Sequence, residues 1–378
     1  MRFRHLGRMA EIDAAAWDAL FDSAYPFTQH AYLDALERSG CVSAERGWTP
    51  CHLLAEDEAG AVHAAAPLYL KAHSWGEFVF DFSWAEAAQR AGLAYYPKLL
   101  TAVPFTPAVG PRLGARDAGA RQALLKALTT LPQQSRLSSW HGLFMPEAEA
   151  ISIGAHAPLL RNDVQFQWRN AGYVDFSAFL AVLDGSKRKK ILQERRKVAA
   201  LGWQFETLPG DAFTEVEWSE LYALYASTYE ERGQPPYLTL AFFHDYAMRP
   251  GTPVRVTVAR EGQRFMAMAL LVQGGDTLYG RHWGAAGFHD GLHFETCYYQ
   301  GIDYCIRNQL SRYDAGAQGE HKLARGFDPV MTHSLHHFAE PRFADAVARH
   351  LAQERRLVAA RLTELQAHSA YRNRGAGT

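Results

Sequence analysis

Five side chains in the second half of the sequence have types suited to moving protons: His282, Glu295, Tyr298, Glu320 and His321. An imidazole or carboxylate can accept a proton and a phenol can donate one, provided each is held within hydrogen-bond reach of the reacting group. The last two belong to a loop, AGAQGEHKLARGF, that gathers Gln318, Glu320, His321, Lys322 and Arg325 within eight residues. Polar density interleaved with glycine reads as a ligand-facing loop rather than core. Plainer uses compete: Glu295 as a carboxylate favouring a helix N-terminus, Tyr298 as a buried ring with a bonded hydroxyl. His289 with His293, and His333 with His336 and His337, have helical spacing that raises zinc. No HExxH stretch accompanies them and Gly291 weakens a helix there, so no metal is expected. The four cysteines, Cys41, Cys51, Cys297 and Cys305, form no CxxC pair.

The elements that must position these groups follow from periodicity and breakers. Val254 to Ala259 and Phe265 to Val272 read as strands joined by the REGQR turn, Thr277 to Trp283 as a third, and Glu295 to Leu310 as a helix. The first half reads in the same order. Helices are expected at Ile12 to Phe21 and His30 to Leu36, and strands at Trp48 to Ala55 and Ala61 to Leu70. Helices near Ala91 to Val103 and at Arg121 to Leu131 come next, then strands at Leu137 to Phe144 and Val164 to Trp168. Residues 59 to 70 lie over residues 261 to 272, with Ala65 over Ala267, an offset of 202. A tyrosine pair follows in each half, Tyr95-Tyr96 and Tyr298-Tyr299, at an offset of 203. Two features at offsets one residue apart point to internal duplication in an α/β chain. Phe343, Val347, Leu351, Val358, Leu362 and Leu365 line a long amphipathic C-terminal helix.

Between the halves, Lys187 to Lys197 hold seven positive residues and one glutamate. If helical, Ile191, Leu192 and Val198 form a narrow apolar stripe, while Arg188 and Arg195 lie two turns apart on roughly one face. Three uses are open: a solvated face, an electrostatic funnel for an anionic donor or acceptor, and attachment to anionic lipid headgroups. The nearby Trp168, Tyr173 and Trp203 are too scattered for a base-stacking platform.

Composition sets the outer bounds. The chain has 378 residues, 48% hydrophobic and 21% charged, with formal net charge −1, so it holds ample core material and is not a globally basic coat for nucleic acid. No helix-turn-helix or zinc pattern supports sequence-specific DNA binding. The N-terminal stretch lacks the apolar run and cleavage site of a secretory signal, and no uncharged apolar run approaches the ~18 residues of a bilayer span. A cytoplasmic protein is expected, with a peripheral place at the inner membrane left open.

The duplicated halves, the KRKK…ERRK segment and the run from His282 to Phe327 together resemble the FemAB-like predicted N-acyltransferases, a bacterial group within the acyl-CoA N-acyltransferase fold. The resemblance covers roughly residues 5 to 345 and is most specific from 281 to 327. It implies two tandem acetyltransferase-like (GNAT-type) domains, placed at 1–172 and 173–340, with residues 341–378 as C-terminal helix and tail. It further implies transfer of an acyl or aminoacyl group to a primary amine such as a peptide amine or a long-chain amine. The co-substrate would be an acyl-CoA or acyl carrier protein thioester or, alternatively, aminoacyl-tRNA, with no tightly bound cofactor. A catalytically silent protein that binds an envelope precursor is the rival reading.

The fold's pyrophosphate pattern, Arg/Gln-x-x-Gly-x-Gly/Ala, fits Arg281, Gly284 and Ala286, read as a strand-to-helix turn that would present backbone N–H groups to phosphate. The first copy carries Asp81 and Glu86 in the equivalent stretch, so only the second half is expected to hold a donor. Lys187, Arg188 and Arg195 are further candidates for the anionic donor, and Trp283, Tyr299, Gln318, Lys322 and Arg325 for substrate. Nothing pairs a cysteine with a histidine, so direct attack by the amine is expected rather than an acyl-cysteine.

Overall fold

The computed structural model describes residues 1–154, 159–317 and 319–372. It divides into two compact units: residues 1–164 with 331–360, and residues 165–330 with the chain from Arg361 onward. The strands in chain order are β1 (Arg2–Leu6), β2 (Trp48–Pro50), β3 (His52–Glu56), β4 (Val62–Ala66), β5 (Tyr69–Lys71), β6 (Lys98–Thr101), β7 (Gly114–Ala115) and β8 (Ser139–Met145). They continue as β9 (Leu159–Arg169), β10 (Gln204–Pro209), β11 (Val254–Glu261), β12 (Arg264–Gly274), β13 (Thr277–Ala285), β14 (Arg312–Asp314) and β15 (Asp328–Phe338).

The expected duplication is visible strand by strand. In the C-terminal unit β10, β11, β12 and β13 pair antiparallel in turn, β13 pairs parallel with β14, and β14 antiparallel with β9. In the N-terminal unit β1–β3, β3–β4 and β5–β6 are antiparallel, β6–β8 is parallel, and β8–β15 is antiparallel. A bend in the first hairpin splits its strands into β2/β3 and β4/β5, and the hydrogen bond from Cys51 N–H to Leu68 C=O bridges the break. The order is otherwise the same. In each unit the closing strand comes from the far half of the sequence, which is why boundaries at 172 and 340 do not coincide with the compact units.

Local sequence explains the elements around the sheets. Helix Ala118–Gln134 starts at Asp117, whose carboxylate accepts from Ala120 N–H, and it buries Ala120, Leu124, Leu128 and Pro132 as one stripe, the first three in a core with Leu99, Trp140 and Leu335. Helix Glu215–Glu230 begins with a capping box between Thr214 and Glu217 and buries Trp218, Leu221 and Tyr225. Strand β12 is buried from Phe265 to Val272, matching its continuous apolar run. The long C-terminal helix is Pro341–Ala367, with Val347 and Leu351 packed on Trp84, Tyr95 and Phe338.

Two expectations change. Ala91 to Val103 is not a helix: Pro97 interrupts it, and the apolar run is β6, buried on both faces. The tyrosine pairs sit on different elements, Tyr95-Tyr96 ahead of β6 and Tyr298-Tyr299 in the helix after β13, so the hairpins carry the duplication and the tyrosines do not.

Candidate functional site

Past β13 the chain turns through 286–291 and enters a helix at Leu292, with Gly291 at φ +85° as its cap. That helix runs to Arg307 and contains one wide π turn, Glu295–Tyr299. Such turns rotate side chains out of the ordinary helical register. Here the turn carries three of the expected residues, Glu295, Tyr298 and Tyr299. The polar loop after β14 forms a 3-10 helix, Glu320–Arg325, bounded by Gly319 at φ +103° and Gly326 at φ +85°. A side chain at Gly319 would strike the His321 ring at 2.5 Å. Helix and loop meet where the parallel strands β13 and β14 end, the side of such a pair on which ligands generally bind. Their ladder covers only Thr277–Tyr279 against Arg312–Asp314, and β13 then continues to Ala285 without β14 beside it.

There the Tyr298 hydroxyl and His321 Nε2 lie 2.8 Å apart. Tyr298 is buried and His321 is exposed, so the pair joins the interior to solvent. Burial raises the Tyr298 pKa above the ordinary phenol range and keeps it protonated. Partial burial, with the charges of Arg325, Lys322 and Lys190, holds His321 below its usual value and therefore neutral near pH 7. His293, pushed down to about 4 by burial, packs edge-on against Trp283 and Tyr298. Lys322 is buried, spends two donors on the carbonyls of Ala315 and Gly316 at 3.0 and 2.6 Å, and is lowered to about 8 by burial.

The basic segment is the helix Gly185–Ala199, with Ile191 and Val198 buried and Leu192 exposed. Two consecutive residues of it clamp the site. Arg195 forms a two-pronged pair with Glu295 at 3.0 and 3.1 Å, and Gln300 donates to the same carboxylate at 2.8 Å. Glu194 accepts from buried Arg325 at 2.6 and 3.2 Å and from the Tyr299 hydroxyl. Arg325 also lies 3.4 Å over the Phe294 ring and donates to the His321 carbonyl at 2.8 Å. Glu194 thus fixes both the π turn and the His321 loop. One acid among seven bases gave no sign of this, because its partner is 131 residues away in sequence.

Other expected residues are placed differently. Arg281 to Ala286 do not form a turn: Gly284 pairs with Met268 inside the ladder, and Ala286 N–H donates to Met266 C=O. Gly284 is small because a Cβ there would lie 1.9 Å from the Leu224 carbonyl, so the glycine admits a helix backbone. Period-two alternation sends His282 to that same helix, its Nδ1 3.2 Å from the Tyr229 hydroxyl, while Trp283 packs on His293 on the opposite face. His282 therefore does not join Tyr298 and His321. Glu295 is committed to Arg195 and Gln300, and exposed Glu320 pairs with Arg361 at 2.5 Å. Lys187 and Arg188 form no ion pair among the described residues, and Gln318 lies outside those residues. Cys297 and Cys305 have thiols pushed up by burial, which disfavours a thiolate nucleophile.

The N-terminal unit holds a polar cluster that sequence reasoning missed. Buried Lys98 contacts Glu77 at 2.8 Å, Asp81 at 2.5 Å and Ser74 at 2.8 Å, while the Tyr95 hydroxyl donates to Asp81 at 2.6 Å. Burial raises Glu77 to about 7; at Asp81 burial acts the same way, but the Lys98 charge outweighs it and holds the group at about 2. Beside it Ser139, His141, His336 and Ser334 form a hydrogen-bonded row, and burial keeps both imidazoles neutral. His333 meets Asn162, and His289 meets Trp203.

Among solved structures the fold is similar to a conserved protein of unknown function from Bacteroides thetaiotaomicron VPI-5482, at 11% identity, covering 90% of this chain and 100% of that one, with TM-score 0.53. It is also similar to FemX, at 11% identity, 89% and 97% coverage and TM-score 0.51. L-PGS from Bacillus licheniformis matches at 9% identity, 87% and 98% coverage and TM-score 0.50. At these identities the likeness establishes the fold. No curated protein matches the sequence significantly. A family model described as peptidoglycan biosynthesis/recognition matches residues 8–373, nearly the whole chain. On that match, with the paired α/β units and the shared fold, the chain belongs to the FemAB-like family.

Proposed function

We propose that the chain is an N-acyltransferase that moves an acyl group from an acyl-CoA or acyl carrier protein thioester to a primary amine. The observation that carries this reading is the Tyr298–His321 pair at the open ends of β13 and β14. Amide formation needs a neutral amine, a proton acceptor and a proton for the departing sulfur. The amine nitrogen attacks the thioester carbonyl, the C–S bond breaks, the amine proton goes to neutral His321, and Tyr298 gives its proton to the thiolate. The 2.8 Å hydrogen bond then lets the imidazolium reprotonate Tyr298, which balances the cycle. The Glu194 and Arg195 clamps hold the two elements at this spacing. The π turn and the segment 286–291 ahead of it are the stretch available to an anionic donor, in place of the ladder residues Arg281 to Ala285.

The test offers purified protein matched acyl-CoA, acyl carrier protein and aminoacyl-tRNA donors with a primary amine, reading product by mass spectrometry. Amide from a thioester supports the proposal. Product from charged tRNA alone, or no product from any donor, would sink it.

A further inference from the structure

The basic helix carries more charge than its clamps use. Of its seven cations, Arg195 is matched by Glu295 and Lys197 by Asp290 at 2.6 Å, while its one acid, Glu194, is matched by Arg325. Lys187, Arg188, Lys189, Lys190 and Arg196 form no ion pair among the described residues. Five uncompensated cations within ten residues stand out on a chain whose net charge is −1. Helical spacing puts Lys189, Leu192 and Arg196 in one outward row and Lys190, Gln193 and Lys197 in the next. Ile191 and Val198 face inward.

Apolar surface accompanies this charge. Leu192 is 41% exposed within the first row, and Phe288 is 93% exposed, the most open of the large apolar side chains among the described residues. The Lys197–Asp290 contact ties the Phe288 segment to the second row. Cations on a helix face with protruding aliphatic and aromatic side chains match a bilayer interface, where phosphates meet the bases and rings enter the headgroup layer. A surface for single-stranded nucleic acid would call instead for a run of aromatic faces that bases can stack on.

We propose that Lys187–Lys190, Leu192, Arg196 and Phe288 dock the protein on an anionic lipid surface. This docking does not rest on the proposed acyl transfer. No helix among the described residues is long and apolar enough to cross a membrane, so the contact is peripheral.

The test sediments the full chain with vesicles of phosphatidylcholine alone and of phosphatidylcholine mixed with phosphatidylglycerol. Binding is expected only to the mixed vesicles and is weakened by salt. The triple variant Lys189→Gln, Lys190→Gln, Arg196→Gln lowers the partition coefficient on the order of 100-fold, and Phe288→Ser lowers it without changing the salt dependence. These positions are exposed, so an unchanged melting curve establishes that each variant is folded. Equal binding to neutral vesicles, no binding to anionic ones, or an undiminished triple variant would overturn docking. Retention of tRNA without vesicle binding would assign the helix to nucleic acid and overturn it equally. Because sedimentation needs no turnover, failure of docking leaves the transfer reading standing, and failure of transfer leaves docking standing.

Discussion

The two units build one strand order around opposite treatments of their polar groups. In the N-terminal unit the groups around β6 and β8 are sealed: Lys98 holds two carboxylates, and the buried histidine row ends on serine hydroxyls. In the C-terminal unit the groups beyond the corresponding parallel pair end in a phenol backed by an exposed imidazole. A shared scaffold thus encloses the polar groups of one copy and leaves a hydrogen-bonded phenol–imidazole pair reaching solvent in the other, and the difference lies in side chains rather than strand connections.

The sharpest way to break this comparison is to strike each copy once. His321→Ala should lower kcat by about 10²–10⁴-fold while leaving the urea midpoint in place, because the ring is exposed. Lys98→Met should do the reverse. It strands Glu77 and Asp81 as buried acids and costs about 3–5 kcal/mol, read as a lower urea midpoint, with transfer per folded molecule unchanged. Transfer lost in folded Lys98→Met protein would move the chemistry into the N-terminal unit.

Smaller effects sharpen the picture. Gly284→Ala forces a Cβ into the Leu224 carbonyl and should cost about 1–3 kcal/mol while donor binding persists in the folded fraction. Intact stability with lost donor binding would restore the phosphate role to that glycine. Smallest is a pH effect. His321 accepts a proton only when neutral, so kcat/KM holds above its folded pKa and falls as pH drops through it, below about pH 6.5. Lys190→Glu replaces a charge that depresses this group with one that favours its protonation and should move the acidic limb upward. An acidic limb unmoved by His321→Gln would place the proton acceptor elsewhere.

What could be read beforehand was local. Hairpins declare themselves through alternation and turn residues, and the duplication through the offset of 202 residues between its hairpins. The Gly-rich loop and Tyr298 were found because polar groups crowd a short stretch. Contacts at long range had no such signature: Glu194 finds Arg325, and Lys98 finds Glu77 and Asp81, only once the strands are assembled. Arg281 to Ala286 read as a turn, although they lie in and at the end of a strand, because small residues serve a close helix crossing as well as a phosphate. Which face of the sheet His282 took, and which Trp283, was a matter of strand register, which shifts at a bulge between Leu270 and Leu271.

The borrowed closing strands bear on synthesis. As the ribosome makes this chain, β8 emerges early, but its antiparallel neighbour β15 is translated almost two hundred residues later. Until then the nascent N-terminal half exposes an unfinished hydrogen-bonding edge, the kind of template that recruits other chains. A protein cut at residue 172 would keep that edge permanently and precipitate rather than fold, and a slow codon stretch before β15 would lengthen the interval during which a chaperone has to shield it.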